Sequence, residues 1–236
     1  MERPCQLSLS NNSKLISESA NAKDYSANLV FVYGNRVRLL RRQIRENKKN
    51  IKKLREMMAD SKVDLWSTDE VHFQQHGSRC RMWIAPENAD PVIMHEPTRR
   101  NVGYFGAVRL RDGKFVYRRE TEKFNAKTFW NFLKQLRKAS SHAGKKVIVI
   151  SDNARYHHAK LHKEYREKCA DRFALDFLPP YSPDLNPIER VWKLTRRCCA
   201  HNVYFPSLES IATAVETKFK EWSPGSNALR RLCAIN

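Results

Sequence analysis

The sequence predicts an α/β domain, a mixed sheet with helices on its faces. Three observations predict it. Apolar residues alternate with polar ones in short runs between Lys62 and Arg118, and Asp112-Gly113 between two of these runs is a tight hairpin signal. Val147–Ile150 is an uninterrupted apolar run, as a strand covered on both faces requires. Helical stripes precede, separate and follow these runs, which suits helices layered on a sheet.

The elements follow in order. Residues 1–34 are mixed and polar, with one short apolar run at Leu29–Tyr33, and receive no fold. Residues 35–60 read as a basic linker helix. Val37, Leu40, Ile44, Ile51, Leu54 and Met58 fall at a/d spacing, Asn47 takes the one polar seam position, and ten Lys and Arg lie from Arg36 to Arg55. Such a helix either lies on DNA or pairs with a second copy, or it packs its stripe on the following domain with its charges solvated.

That domain spans 61–225. Val63, Leu65 and Ser67 alternate up to Asp69, and Cys80, Met82 and Ile84 alternate again. Residues 102–110 and 115–118 flank the hairpin. A helix from about Asn125 carries Phe129, Phe132, Leu133 and Leu136 on one face. After the 147–150 strand, residues 157–170 read as a helix with Leu161, Tyr165 and Cys169 in its stripe, then Ala174–Leu178 as a strand. Pro187 suits a first helical position with Asn186 as cap, and Ile188, Val191, Trp192, Thr195 and Cys199 form that helix's apolar face. A last helix runs from about Leu208 to Trp222 through Ile211, Val215 and Phe219, and 226–236 is a tail. A strand–helix–strand passage returning parallel to the first strand is right-handed and can place the ends of the first and fourth strands side by side.

Composition bounds the function. The 236 residues carry 44 Lys+Arg against 25 Asp+Glu, 44 − 25 = +19, which favours a polyanionic partner, nucleic acid before membrane surface. A hydrophobic fraction of 41% with only 7 Gly and 10 Pro excludes collagen-like and wholly disordered chains. No apolar run approaches ~20 residues, so no membrane span is expected. Cys5, Cys80, Cys169, Cys198, Cys199 and Cys233 include no C-x-x-C pair, which argues against a zinc ribbon. With no secretory signal at the N-terminus, free thiols suit a reducing, intracellular compartment.

Three acids carry the candidate chemistry. Asp69 ends the first strand in Ser-Thr-Asp-Glu, and Asp152 ends the fourth in Val-Ile-Val-Ile-Ser-Asp-Asn. Working residues of α/β sheets cluster beyond the strands' C-terminal ends. If these strands are neighbours, the two carboxylates repel unless a dication lies between them, and hard oxygen ligands suit Mg²⁺ or Mn²⁺. Glu189, in the first turn after Asn-Pro-Ile, is the third candidate. It also stands at capping-box spacing from Asn186, where its side chain would instead hold a backbone N–H. Pro179, Pro180, Pro183 and Pro187 stiffen the approach to it, either to fix its reach or simply to make a tight connection. Glu70 is left out because strand alternation turns it to the opposite face from Asp69. Arg155, His157, Arg190, Lys193, Arg196 and Arg197 flank the acids in sequence and are candidate DNA contacts, through the phosphate backbone. His157 and His158 also read as helix-start polar groups, as His72 and His76 read as strand-end and turn residues.

The strings SDNARYHHA and LDFLPPYSPDLNPIERVWK, with DLWSTDEVHFQQHGSRCRMW upstream, resemble the catalytic domain of mariner-superfamily DDE transposases, in particular the bacterial insertion-sequence branch. The resemblance covers about residues 36–222. It implies a ribonuclease H-like fold and a catalytic and metal-binding triad of Asp69, Asp152 and Glu189 holding two Mg²⁺ or Mn²⁺ ions. It implies phosphodiester hydrolysis at element ends, then 3′-OH strand transfer into target DNA at TA, by at least two copies assembled on DNA in the cell's nucleoid. Residues 1–34 are too short for the family's helix-turn-helix recognition modules. A separate chain carrying those modules is therefore expected as a partner, unless this is a catalytic fragment or degenerate copy. Two other readings stay open: an inactive DNA-binding remnant, and a ribonuclease H-like nuclease without strand transfer.

Overall fold

The computed structural model describes residues 44–81, 92, 94, 97–140, 144–179 and 182–235. The chain divides into two compact units, Met1–Arg45 and Glu46–Asn236, and the sheet and its helices belong to the second. The expectations for 1–34, for 35–43 and for the 82–84 part of a strand lie outside the described residues.

A helix at 44–59 (α1) precedes the sheet. Then come β1 (Val63–Gln74), β2 (Asn101–Arg109), β3 (Phe115–Glu120), α2 (Ala126–Ser140), β4 (Lys146–Ser151), α3 (Lys163–Lys168), β5 (Phe173–Phe177), α4 (Ile188–Cys199), α5 (Leu208–Trp222) and α6 (Asn227–Leu232). The strands lie in the order β3-β2-β1-β4-β5. β1, β2 and β3 pair antiparallel, whereas β4 runs parallel to both β1 and β5.

Strand alternation sorts the side chains into two cores. Leu65, Val71, Phe73, Tyr104, Phe115 and Ile150 pack under α4, α5 and α6 against Val191, Trp192, Ile211, Val215, Phe219 and Leu229. Trp66, Phe105, Ala107, Val147 and Val149 pack under α2 against Phe129, Phe132, Leu133 and Leu136. β4 contributes to both, which is why its sequence is apolar without alternation. Asn125 starts α2 by accepting hydrogens from the Lys127 and Thr128 amides, and Ser207 starts α5 in a reciprocal cap with Ser210.

α1 takes the packing reading of its basic stripe. Leu54 is buried in the core, the seam residue Asn47 accepts a hydrogen bond from Ser182 at 3.2 Å, and Lys53 pairs with Asp176 at 2.7 Å. Three expectations are corrected. Residues 157–170 are not one helix: two 3₁₀ turns, Arg155–His158 and Lys160–His162, precede the six-residue α3, and Ala159 between them is extended. The cause is tertiary, because His157 and His162 are both buried with their rings against Phe129. Residues 79–81 form no strand; Asn202 holds the backbone of Cys80 by its N–H and its C=O. The 226–236 tail contains α6, with Leu229 and Cys233 fully buried.

Candidate active site

β1 does not stop at Asp69. It continues to Gln74 paired with β2, while its ladder with β4 ends at Ser67↔Ile150. Asp69 and Asp152 each lie two residues beyond that last pair, where the two strands part. The alternation that buries Leu65 and Val71 turns Asp69 toward α4, and the indole Nε1–H of Trp192 donates to Asp69 Oδ2 at 3.2 Å. Burial, and then the negative charges of Glu70, Glu189 and Asp152, push the Asp69 carboxyl up to about 8. Glu189 and Asp152, both distant along the chain, thus add to the charge that opposes ionisation of Asp69.

Glu189 reaches this position through an interlock. Ser67 Oγ–H donates to Asn186 Oδ1 at 2.5 Å, Asn186 Nδ2–H donates to the Thr68 carbonyl at 3.2 Å, and the Ile188 N–H donates back to Ser67 Oγ at 3.2 Å. The first turn of α4 is thus capped by a strand residue, and the cap expected from Asn186's own side chain does not form. The capping-box reading of Glu189 falls with it: the Glu189 N–H meets the Asn186 backbone carbonyl, while the Asn186 side chain is spent on β1. Glu189 is half-buried in that turn.

Asp152 is held by its own loop. Its Oδ1 accepts from the Ala154 N–H at 3.2 Å and lies 2.8 Å from His157 Nδ1. The His157 hydrogen bond keeps this carboxyl below the usual carboxylate range. With Nδ1–H aimed at Asp152, His157 is fixed in place; it is 1% exposed and its ring rests 4.1 Å from that of Phe129. His158 bonds Asn153 Oδ1 and stacks on Phe177, and His72 lies against Phe124.

Strand alternation turns Glu70 to the opposite face from Asp69. It does face away from Asp69, yet the Tyr156 hydroxyl donates to its Oε1, and its Oε2 lies 3.9 Å from His157 Nε2. Both Glu70 Oε2 and His157 Nε2 are buried without a hydrogen-bond partner. Burial pushes the Glu70 carboxyl above its ordinary range. No local pattern signals Ser67, Asn186, Trp192 or Tyr156 as neighbours of the acids, because each contact joins distant segments.

The candidate DNA contacts separate into two groups. Arg155, Lys193 and Arg197 are exposed, and Arg196 is half-buried with its guanidinium 5.7 Å above the Phe73 ring. Arg190 donates to the Leu232 and Ala234 carbonyls at 3.0 and 2.8 Å, and His157 is sealed beneath Asp152.

Among the described residues no three His, Cys, Asp or Glu side chains are grouped so that they could hold a metal ion between them. The donor set nevertheless fits a divalent ion. Asp69, Asp152 and Glu189 supply only hard oxygens, and Asp69 carries negative charge from three neighbours that a cation would relieve.

A family model described as DDE superfamily endonuclease matches residues 64–212. The Tc3 transposase of Caenorhabditis elegans is 29% identical over 163 residues, 65% of this chain and 47% of that protein. The Mos1 strand transfer complex superposes with a TM-score of 0.58 at 18% identity, over 81% of this chain and 57% of the other. The Mos1 mariner paired end complex with Mn does so at 0.58 and 17%, over 80% and 57%. These likenesses show the fold, the ribonuclease H-like sheet that the sequence implied. The chain spans about half the length of the curated relatives it matches.

Proposed function

The chain belongs to the DDE superfamily of endonucleases, and from that membership we propose that it is the catalytic part of a mariner-type DNA transposase. Its reaction is phosphodiester hydrolysis at element ends followed by strand transfer of the 3′-OH into target DNA. The observation that supports this reading is the fastening around Asp69: the β1–β4 ladder ends two residues before Asp69 and two before Asp152, and the Ser67–Asn186 interlock ties the helix start that carries Glu189 to the same strand.

In this reading Asp69, Asp152 and Glu189 hold two Mg²⁺ or Mn²⁺ ions. When bound, such ions neutralise the scissile phosphate, activate water and stabilise the leaving 3′ oxygen. The protein's part is positional. Trp192 and His157 orient two of the three carboxylates, and α4 presents the third from a helix start fastened to β1. DNA phosphates are met by Arg155, Lys193, Arg196 and Arg197, since Arg190 and His157 are engaged within the protein. Mn in one Mos1 paired end complex and Mg in another support the choice of ions, and those paired ends support action as two copies on DNA. A separate helix-turn-helix chain, the insertion-sequence branch and a nucleoid location belong to the same proposal. Among the described residues no helix is long and apolar enough to cross a membrane.

Incubation with Mg²⁺ or Mn²⁺ and a duplex bearing the element's terminal repeats tests the reading. The native protein is expected to nick the ends and join them to a TA-containing target. Asp152→Ala is expected to abolish both steps while gel-shift binding of the duplex persists. Cleavage by Asp152→Ala at the native rate would remove Asp152 from the site. Nicking without joining would leave a nuclease that lacks strand transfer.

A further inference from the structure

The β1–β4 ladder ends just before the two aspartates, so the loop carrying Asp152 leaves the sheet there. Among the described residues, the backbone bonds within 152–158 stay inside that loop, as in His157 N–H to the Ala154 carbonyl. On one side the Asn153 amide ties the loop to the Leu178 carbonyl at 3.0 Å; among the described residues, one side-chain hydrogen bond joins the loop to β1. Glu70, next to Asp69 but on the α2 side of β1, accepts from the hydroxyl of Tyr156, which lies in the 3₁₀ turn after Asp152. We propose that Glu70 and Tyr156 form a positioning clip that fixes the separation of Asp69 and Asp152.

The clip is seated firmly. The Tyr156 ring packs against those of Phe129 and His157 at 5.9 and 4.4 Å, and His162 Nε2 meets the Tyr156 carbonyl at 3.1 Å. The turn is thereby fastened to α2, and α2 packs on the sheet through Phe129, Phe132, Leu133 and Leu136. Glu70 then ties the turn to the residue beside Asp69. Glu70 is half-buried, its side chain 22% exposed, and its Oε2 is buried without a hydrogen-bond partner, a cost that the Tyr156 bond to Oε1 offsets only in part. Neither Glu70 nor Tyr156 touches the reacting atoms; both act through the aspartates.

The inference rests on the metal-dependent reading of the acids, and its test separates the two. Glu70→Gln keeps an oxygen that accepts from Tyr156, Glu70→Ala removes it, and Tyr156→Phe removes the donor. Mn²⁺ binding is followed by the free-ion electron paramagnetic resonance signal. Amide hydrogen exchange is followed in 152–158 and in the β1–β4 ladder. Glu70→Ala and Tyr156→Phe are each expected to weaken Mn²⁺ binding roughly tenfold or more, as loss of outer partners of metal ligands does. The double variant should be no worse than either single one, Glu70→Gln should stay near native, and exchange should quicken in 152–158 but not in the ladder. Three results overturn the clip: equal damage from Gln and Ala, additive losses in the double variant, or unchanged 152–158 exchange in both single variants. If Asp152→Asn leaves both Mn²⁺ binding and DNA cleavage at native levels, the metal reading fails, and the exchange measurement still decides whether the clip exists.

Discussion

Trp192 and Asp69 are joined across the sheet face: the indole, one turn beyond Glu189 on α4, donates to Oδ2 of the strand acid at 3.2 Å. Gly106 makes room for that ring. It pairs with Asp69 in register on β2, and a Cβ there would lie 2.3 Å from Trp192 Cη2. Gly106→Ala is therefore expected to destabilise the fold by about 1–3 kcal/mol and to lower cleavage by displacing the indole. Urea unfolding and the nicking assay check it, and a variant native in both would refute the packing account.

The Ser67–Asn186 interlock predicts a coupled pair. Either Ser67→Ala or Asn186→Ala unfastens the start of α4 and is expected to cost about 1–2 kcal/mol. The double variant should cost clearly less than the sum, because both members serve one bonded unit. Additive unfolding energies would show that the two act separately.

Asp69 gives a pH dependence of unusual sign. Its folded pKa of about 8 lies above its ordinary value of 3.8, so between these the folded protein binds the extra proton. The metal-free protein is therefore expected to lose stability as pH rises from about 4 to about 8. Divalent ions require the deprotonated acid, so their affinity should rise over the same range and level off above it. Asp69→Asn should remove its share of the stability slope. Thermal unfolding at several pH values, with and without Mg²⁺, tests both trends.

Basic residues near the acids divide by salt dependence. Lys193→Ala and Arg197→Ala should each reduce the slope of log affinity for DNA against log salt by about one. Arg190→Ala should leave that slope intact and lower the unfolding midpoint, since its guanidinium holds the Leu232 and Ala234 carbonyls. A reduced slope for Arg190→Ala would return that residue to the DNA surface.

What was legible in the sequence was local. β4 and α5 follow from four apolar residues in a row and from a stripe at helical spacing, and their packing agrees. The alternation that turned Glu70 away from Asp69 is also correct as to its face. What it left out is that a long side chain on the far face meets a tyrosine beyond Asp152. Asn186 was readable as a polar residue at a helix start, yet its partner is Ser67, distant along the chain, and no local spacing reports such a bond. The 157–170 segment failed for a related reason. Its stripe is weak, and two buried histidines packing on Phe129 outweighed helical preference.

The parallel pairing of β1 with β4 has a consequence for the living cell. These strands meet only after the hairpin and α2 have intervened, and the acid-bearing helix arrives later still in the chain. A nascent or half-collapsed polypeptide therefore holds its acids scattered. On the proposed reading, no metal is held and no DNA is cut until the whole architecture has closed.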